Sequence, residues 1–106
     1  MKTTRTKALS ISPAVRKAVY ERDAYDGAPC CCICGSPYMI SLAHYRARSQ
    51  GGKGVEENLV TMCLPHHQKA DHGYPDERRE MLEKMRDYLM SKYDSWSEED
   101  LTYKQD

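Results

Sequence analysis

The stretch CCICGSPYMISLAHYRARSQGGKGVEENLVTMCLPHHQKADHG, Cys31 to Gly73, decides how the whole chain reads. Cys31 and Cys34 form a C-x2-C pair followed by Gly35. After a gap of twenty-eight residues, Cys63 and His66 form a C-x2-H pair. Either spacing lets two side chains bite one tetrahedral ion, and together they make a Cys3His set for structural zinc. Cys30 and Cys32 do not fit this spacing and read as spare thiols. His67 follows His66 directly, so on a helix it points about 100° away and cannot serve the same ion. On its own face it meets Asp71 at i+4. An imidazole beside a carboxylate suits a second, harder divalent cation.

Working outward, the hydrophobic pattern gives short elements. Asn58 to Cys63 reads as a strand, and a β-like run extends from Tyr38 to Tyr45. Gln50-Gly51-Gly52-Lys53-Gly54 between them is a loop. Pro65 opens a two-turn helix that Gly73 closes. Upstream, Ser12 and Pro13 stand at N-cap and first helical positions, with Ala14, Val15, Ala18 and Val19 striping a helix that ends near Arg22 or Asp23. Asp26-Gly27-Ala28-Pro29 breaks it. Downstream, Met81, Leu82, Met85, Tyr88 and Leu89 stripe an amphipathic helix running from Tyr74-Pro75-Asp76 to about Tyr93. Ser97 and Asp100 stand at capping-box spacing, and Trp96 is expected to pin the tail to the body.

Leu, Ile and Val number 14 among 106 residues and Phe is absent, so the core is small and needs a supplement such as a metal. One domain at most fits this length, which excludes a two-domain dinucleotide enzyme. No run approaches the ~18 apolar residues of a membrane span. The net charge of zero hides two unlike halves. Residues 1 to 53 carry nine Lys/Arg against three Asp/Glu, and residues 54 to 106 carry seven against thirteen. The basic half, with Arg5, Arg16, Lys17, Arg22, Arg46, Arg48 and Lys53, reads either as a phosphate-binding face or as a solvated surface. Lys2, Arg5 and Lys7 precede no apolar signal segment, so a cytoplasmic location is expected, and clustered Cys in a reducing compartment read as metal ligands before disulfides.

The order His44, Asn58, His67, wrapped around Cys31-x2-Cys34 and Cys63-x2-His66, resembles the HNH endonucleases of the ββα-metal fold. The resemblance spans Ile11 to Gly73 and includes Arg48-Ser49-Gln50-Gly51-Gly52 and Glu57-Asn58-Leu59-Val60-Thr61. Residues 76 to 104 resemble the tail of HNH proteins carried by bacteriophages and prophages. The resemblance implies DNA as substrate, with His44 as the general base that deprotonates water. His67 and Asp71 would hold a catalytic Mg2+ or Mn2+ at the scissile phosphate. Asn58 would tie the loop after the first strand so that His44 keeps its orientation. Arg46, Arg48 and Lys53 would contact phosphates. Phage packaging machinery and a homodimer are partners it allows, in a bacterial or phage-infected cell.

The fold expected is thus α+β: a mobile basic arm over residues 1–10, a zinc-stabilised ββα-metal domain with an N-terminal helix over 11–73, and a helical C-terminal extension over 74–106 packed on it. Many members of that family place a metal-ligating Asp or His immediately before the general base, where this chain has Ala43. Water could fill that position, His72 could move in, or the site could be catalytically weak. Two other readings stand beside the nuclease. One is a zinc-stabilised nucleic-acid-binding module without catalysis. The other, a thiol-rich metal-buffering or redox protein, explains neither the His44 to His67 spacing nor the basic loop.

Overall fold

The computed structural model describes residues 4–104 and is an α+β structure. Two helices lead, α1 (Thr4–Leu9) and α2 (Pro13–Arg22). The loose arm expected over residues 1–10 is a helix from Thr4 onward, and Leu9 is buried; residues 1–3 lie outside the described residues. Ser12 caps α2 by accepting a hydrogen bond from the Val15 N–H, and Pro13 sits in its first turn. The break after it is a hairpin of β1 (Ala24–Tyr25) and β2 (Ala28–Pro29). Asp26 and Gly27, both at positive φ, form its turn, the backbone that the Asp-Gly dipeptide favours.

A second antiparallel pair lies at the centre: β3 (Ser41–His44) and β4 (Leu59–Met62), with His44 opposite Leu59 and Ala43 opposite Val60. The run expected from Tyr38 is cut short because Met39 takes a left-handed φ of 45°, which no strand accommodates. From β4 the chain passes through Cys63 into α3 (Leu64–His72), with Pro65 in its first turn and Gly73 as its cap. Helix α4 (Pro75–Lys92) folds back against α3. Met81, Met85 and Leu89 of α4 are buried against Ala43, Tyr45, Val60, Met62 and Leu101. No helix among the described residues is long and apolar enough to cross a membrane.

The loop between β3 and β4 is gripped from outside by the tail. Lys53 N–H donates to the Leu101 carbonyl, Tyr103 N–H donates to the Gly51 carbonyl, and Gly52 bridges Thr102. A Cβ at position 52 would overlap the Arg46 carbonyl, so only glycine fits there. Trp96 donates its indole N–H to the Glu57 carbonyl at 2.7 Å and stacks edge-on against Tyr45. Ser97, however, makes no side-chain cap on the turn Glu98–Leu101, contrary to the capping-box spacing.

With so few apolar side chains, a buried polar network joins the layers. The Asp23 carboxylate, 7% exposed, accepts a two-pronged bond from Arg22, two bonds from Thr61 of β4 and one from the Tyr88 hydroxyl of α4. Arg22 spends its remaining donors on the Glu56 and Leu59 carbonyls and the Tyr93 hydroxyl. It therefore belongs to the interior and not to a phosphate-binding face. Burial alone would raise the Asp23 pKa, but the bonds from Arg22 and Tyr88 and the Arg22 charge outweigh it and hold the carboxyl below its ordinary value.

Asp23→Ala should therefore cost about 3–5 kcal/mol in a denaturant melt of the metal-loaded protein, because it strands a buried guanidinium. The sign of the pH effect follows from the depressed pKa. Stability from Asp23 is complete above the ordinary carboxyl value of 3.8 and is lost as pH falls through the lower folded value. The stability gap between the parent and Asp23→Asn should shrink over that acid range; a constant gap would show that the charge is not what matters.

Candidate metal centre and histidine cleft

The first cluster forms where the Cys31–Cys34 turn meets the junction of β4 and α3. Gly35 N–H closes the turn on the Cys31 carbonyl, and the Ile33 N–H points at the Cys31 sulfur, 3.4 Å away. The ligand atoms of Cys31, Cys34, Cys63 and His66 all lie within 4.8 Å of one another. Zinc held at about 2.3 Å from sulfur with tetrahedral angles sets sulfurs about 3.8 Å apart, and sulfur and nitrogen about 3.6 Å apart. The Cys34 and Cys63 sulfurs are 3.8 Å apart, and His66 Nδ1 lies 3.7 Å from the Cys31 sulfur and 3.2 Å from that of Cys63. The cluster could hold a metal such as zinc.

Its electrostatics also call for a cation. Burial would raise the Cys31 thiol, but backbone groups of Cys63, Cys34 and Ile33 outweigh this and favour its thiolate. Cys63 is pushed up to about 11 by burial and by the neighbouring Cys31 and Cys34. Adjacent sulfurs cannot all ionise unless a positive charge lies between them. Cys30 and Cys32 stand outside the cluster. Burial and the Cys31 charge push the Cys32 thiol up to about 12, which leaves it an inert packing residue.

The second cluster lies on the other face of α3. His67 Nε2 is 3.2 Å from an Asp71 carboxylate oxygen, and His67 Nδ1 is 2.6 Å from the Ser41 hydroxyl. At 3.2 Å, His67 and Asp71 form an i,i+4 imidazole–carboxylate pair on one face of the helix. Ser41 was not foreseen. It shares a strand face with Ala43, two residues on, and a hydrogen bond to the non-ligating nitrogen of a histidine fixes ring and tautomer. Ala43 itself is buried at 3% exposure and packs in the core.

His44 lines a cleft of about 370 Å³ together with Asp71, His72, Arg46 and Arg78 and the apolar Ala70, Leu82 and Met85. Its Nε2 is buried without a hydrogen-bond partner. Burial first, then the positive charge of Arg48, lowers its pKa below the ordinary 6.5, against a smaller pull upward from Asp71. Both influences favour the uncharged imidazole. A roomier groove of about 630 Å³ between α2 and the β1–β2 hairpin, lined by Ile11, Tyr20 and Pro29, lies apart from these groups.

Asn58 is fully buried immediately before β4. Its amide oxygen accepts from the Arg46 N–H at 2.7 Å, and its amide nitrogen donates to the carbonyls of Arg46 and Lys53. One side chain thereby locks both ends of the loop that follows His44. Of the cations on that loop, Arg46 is already engaged by Glu98, which also accepts the Tyr45 hydroxyl bond. Arg48 is exposed, and among the described residues neither it nor Lys53 has a carboxylate within ion-pairing distance. Comparison with protein-family models gives no match, and comparison with curated proteins gives none either.

Two outcomes follow from these clusters. The purified protein should carry one zinc per chain by elemental analysis, and chelation should abolish its cooperative circular-dichroism melt. Cys63→Ser should behave like the chelated protein, whereas Cys30→Ser should stay within about 0.5 kcal/mol of the parent. Asn58→Asp, nearly identical in shape, puts an acceptor against two carbonyls and should lower stability by at least about 2 kcal/mol; an unchanged melting temperature would mean that the amide does not hold the loop.

Proposed function

We propose that the protein is a metal-dependent endonuclease of the HNH type that hydrolyses DNA phosphodiester bonds. The observation that carries this reading is that His44 and Asp71 line one cleft, with His67 Nε2 3.2 Å from the Asp71 carboxylate, on an antiparallel strand pair followed by a helix. Residue order and residue chemistry agree with the ββα-metal resemblance at each of these positions and at Asn58.

The chain's own groups divide the work. His44, neutral and with an unpartnered Nε2, accepts the proton of the water that attacks phosphorus. Asn58, through the backbone of Arg46 and Lys53, keeps the loop beyond His44 in one conformation. Ser41 keeps His67 turned so that Nε2 and the Asp71 carboxylate face one point. His67 and Asp71 would hold a divalent ion, which when bound would supply Lewis-acid stabilisation of the charge developing on the phosphate and the departing 3′ oxygen. Arg48 and Lys53 contribute positive charge along the backbone of the nucleic acid.

A second reading is favoured by Ala43: with only His67 and Asp71 as protein ligands, the fold could serve as a zinc-stabilised nucleic-acid-binding module without catalysis. Supercoiled plasmid incubated with magnesium or manganese separates the two. The parent should relax or linearise it. His44→Ala should lower the rate by roughly 10²- to 10⁴-fold with an unchanged melt, and Asp71→Ala should require more metal or lose activity. A parent that binds plasmid but leaves it supercoiled at every metal concentration would decide for the non-catalytic module.

A further inference from the structure

We infer that Arg78, on α4 and outside the strand-pair-and-helix unit, is a phosphate-binding residue of the His44 cleft, so that the C-terminal helix supplies part of the nucleic-acid interface. The inference rests on the nuclease reading and extends it to a residue that no motif marks.

Arg78 of α4 lines the cleft together with the loop residues Tyr45, Arg46 and Gln50. Its surroundings leave its charge unspent. Arg22 pairs with Asp23, Arg46 with Glu98, Arg79 with Asp76 and Arg86 with Asp87. The acids in the first turns of α4 are committed elsewhere: Asp76 to Arg79, Glu77 to Lys69 and the Tyr74 N–H, Glu80 to Lys84. Among the described residues Arg78 has no carboxylate partner, although it sits in the acidic half of the chain.

The cleft matches a sugar-phosphate in its other properties. Ala70, Leu82 and Met85 give it apolar lining against which a deoxyribose packs, and Arg78, the lining arginine without a carboxylate partner, takes the anion. A phosphodiester presents two non-bridging oxygens, and a guanidinium engages such a pair through parallel N–H bonds that an ammonium cannot reproduce. Arg79, the next residue, is turned about 100° around the helix and already paired, so it serves as a control with the same change in charge.

The test uses the full zinc-loaded chain carrying His44→Ala, so that DNA is bound without being cut, and a short fluorescein-labelled duplex titrated over a range of salt. Arg78→Ala, an exposed helical substitution that should not disturb folding, is expected to weaken binding by about tenfold. It should also reduce the slope of log affinity against log salt by about 0.9, one phosphate's worth. Arg78→Lys should keep the slope and recover only part of the affinity, and Arg79→Ala should match the background protein. Equal slopes for Arg78→Ala and Arg79→Ala would overturn the role of Arg78, and plasmid cleavage by the unmodified protein would then still support the nuclease reading. A protein that neither binds the duplex nor cuts plasmid would remove both.

Discussion

A carboxylate survives in a protein interior only when its lone pairs are engaged, and Asp23 meets that condition by drawing three elements together. Its oxygens take donors from the end of α2, from the backbone and hydroxyl of Thr61 in β4, and from Tyr88 in α4. Arg22, held by the same carboxylate, reaches the carbonyls that flank Asn58 on either side, at Glu56 and Leu59. Helix α2, the central strand β4 and the long helix α4 are thus set relative to one another by directional bonds. In a chain with fourteen Leu, Ile and Val residues, apolar burial alone would leave that arrangement loosely specified.

His66 of the Cys3His cluster and His67 lie on different faces of α3, as their adjacency on a helix requires. Adjacent positions on a helix diverge by about 100°, so His66 and His67 must serve different sites. The cluster that could hold zinc fixes the start of the helix, and the start of the helix places His67 against Ser41. In the proposed nuclease the structural cluster therefore acts on chemistry indirectly, by setting where one imidazole stands.

Much of this was legible in the residues. Cysteine and histidine spacing, Pro65 and Gly73 around α3, the Ser12-Pro13 start of α2 and the Met81, Met85, Leu89 stripe are local signals, and local signals survive without tertiary information. What escaped the reading depends on contacts between distant residues. Arg22 and Asp23 look like an ordinary charged pair until Thr61 and Tyr88 close over them. Ser41 acquires its place only when β3 meets α3. Arg46 reads as a free cation, yet Glu98, fifty-two residues later, is its partner. The β1–β2 hairpin is a different case, since Asp26-Gly27 announced its turn and only the shortness of the flanking strands hid it.

The grip of the tail on the β3–β4 loop has a consequence for the order of events during synthesis. The loop between His44 and Asn58 leaves the ribosome well before Trp96, Leu101 and Tyr103, the residues whose bonds hold its outer side. Contacts spanning some fifty residues form late, because the chain must be available before the loop can close on it. A nascent chain can therefore gather its thiols and begin its helices while the loop beyond His44 is still unsupported, and that loop is held on its outer side only when the Glu98–Leu101 turn docks. In the proposed nuclease, the cleft would in this way stay incomplete until residues 96–103 have been made and have docked.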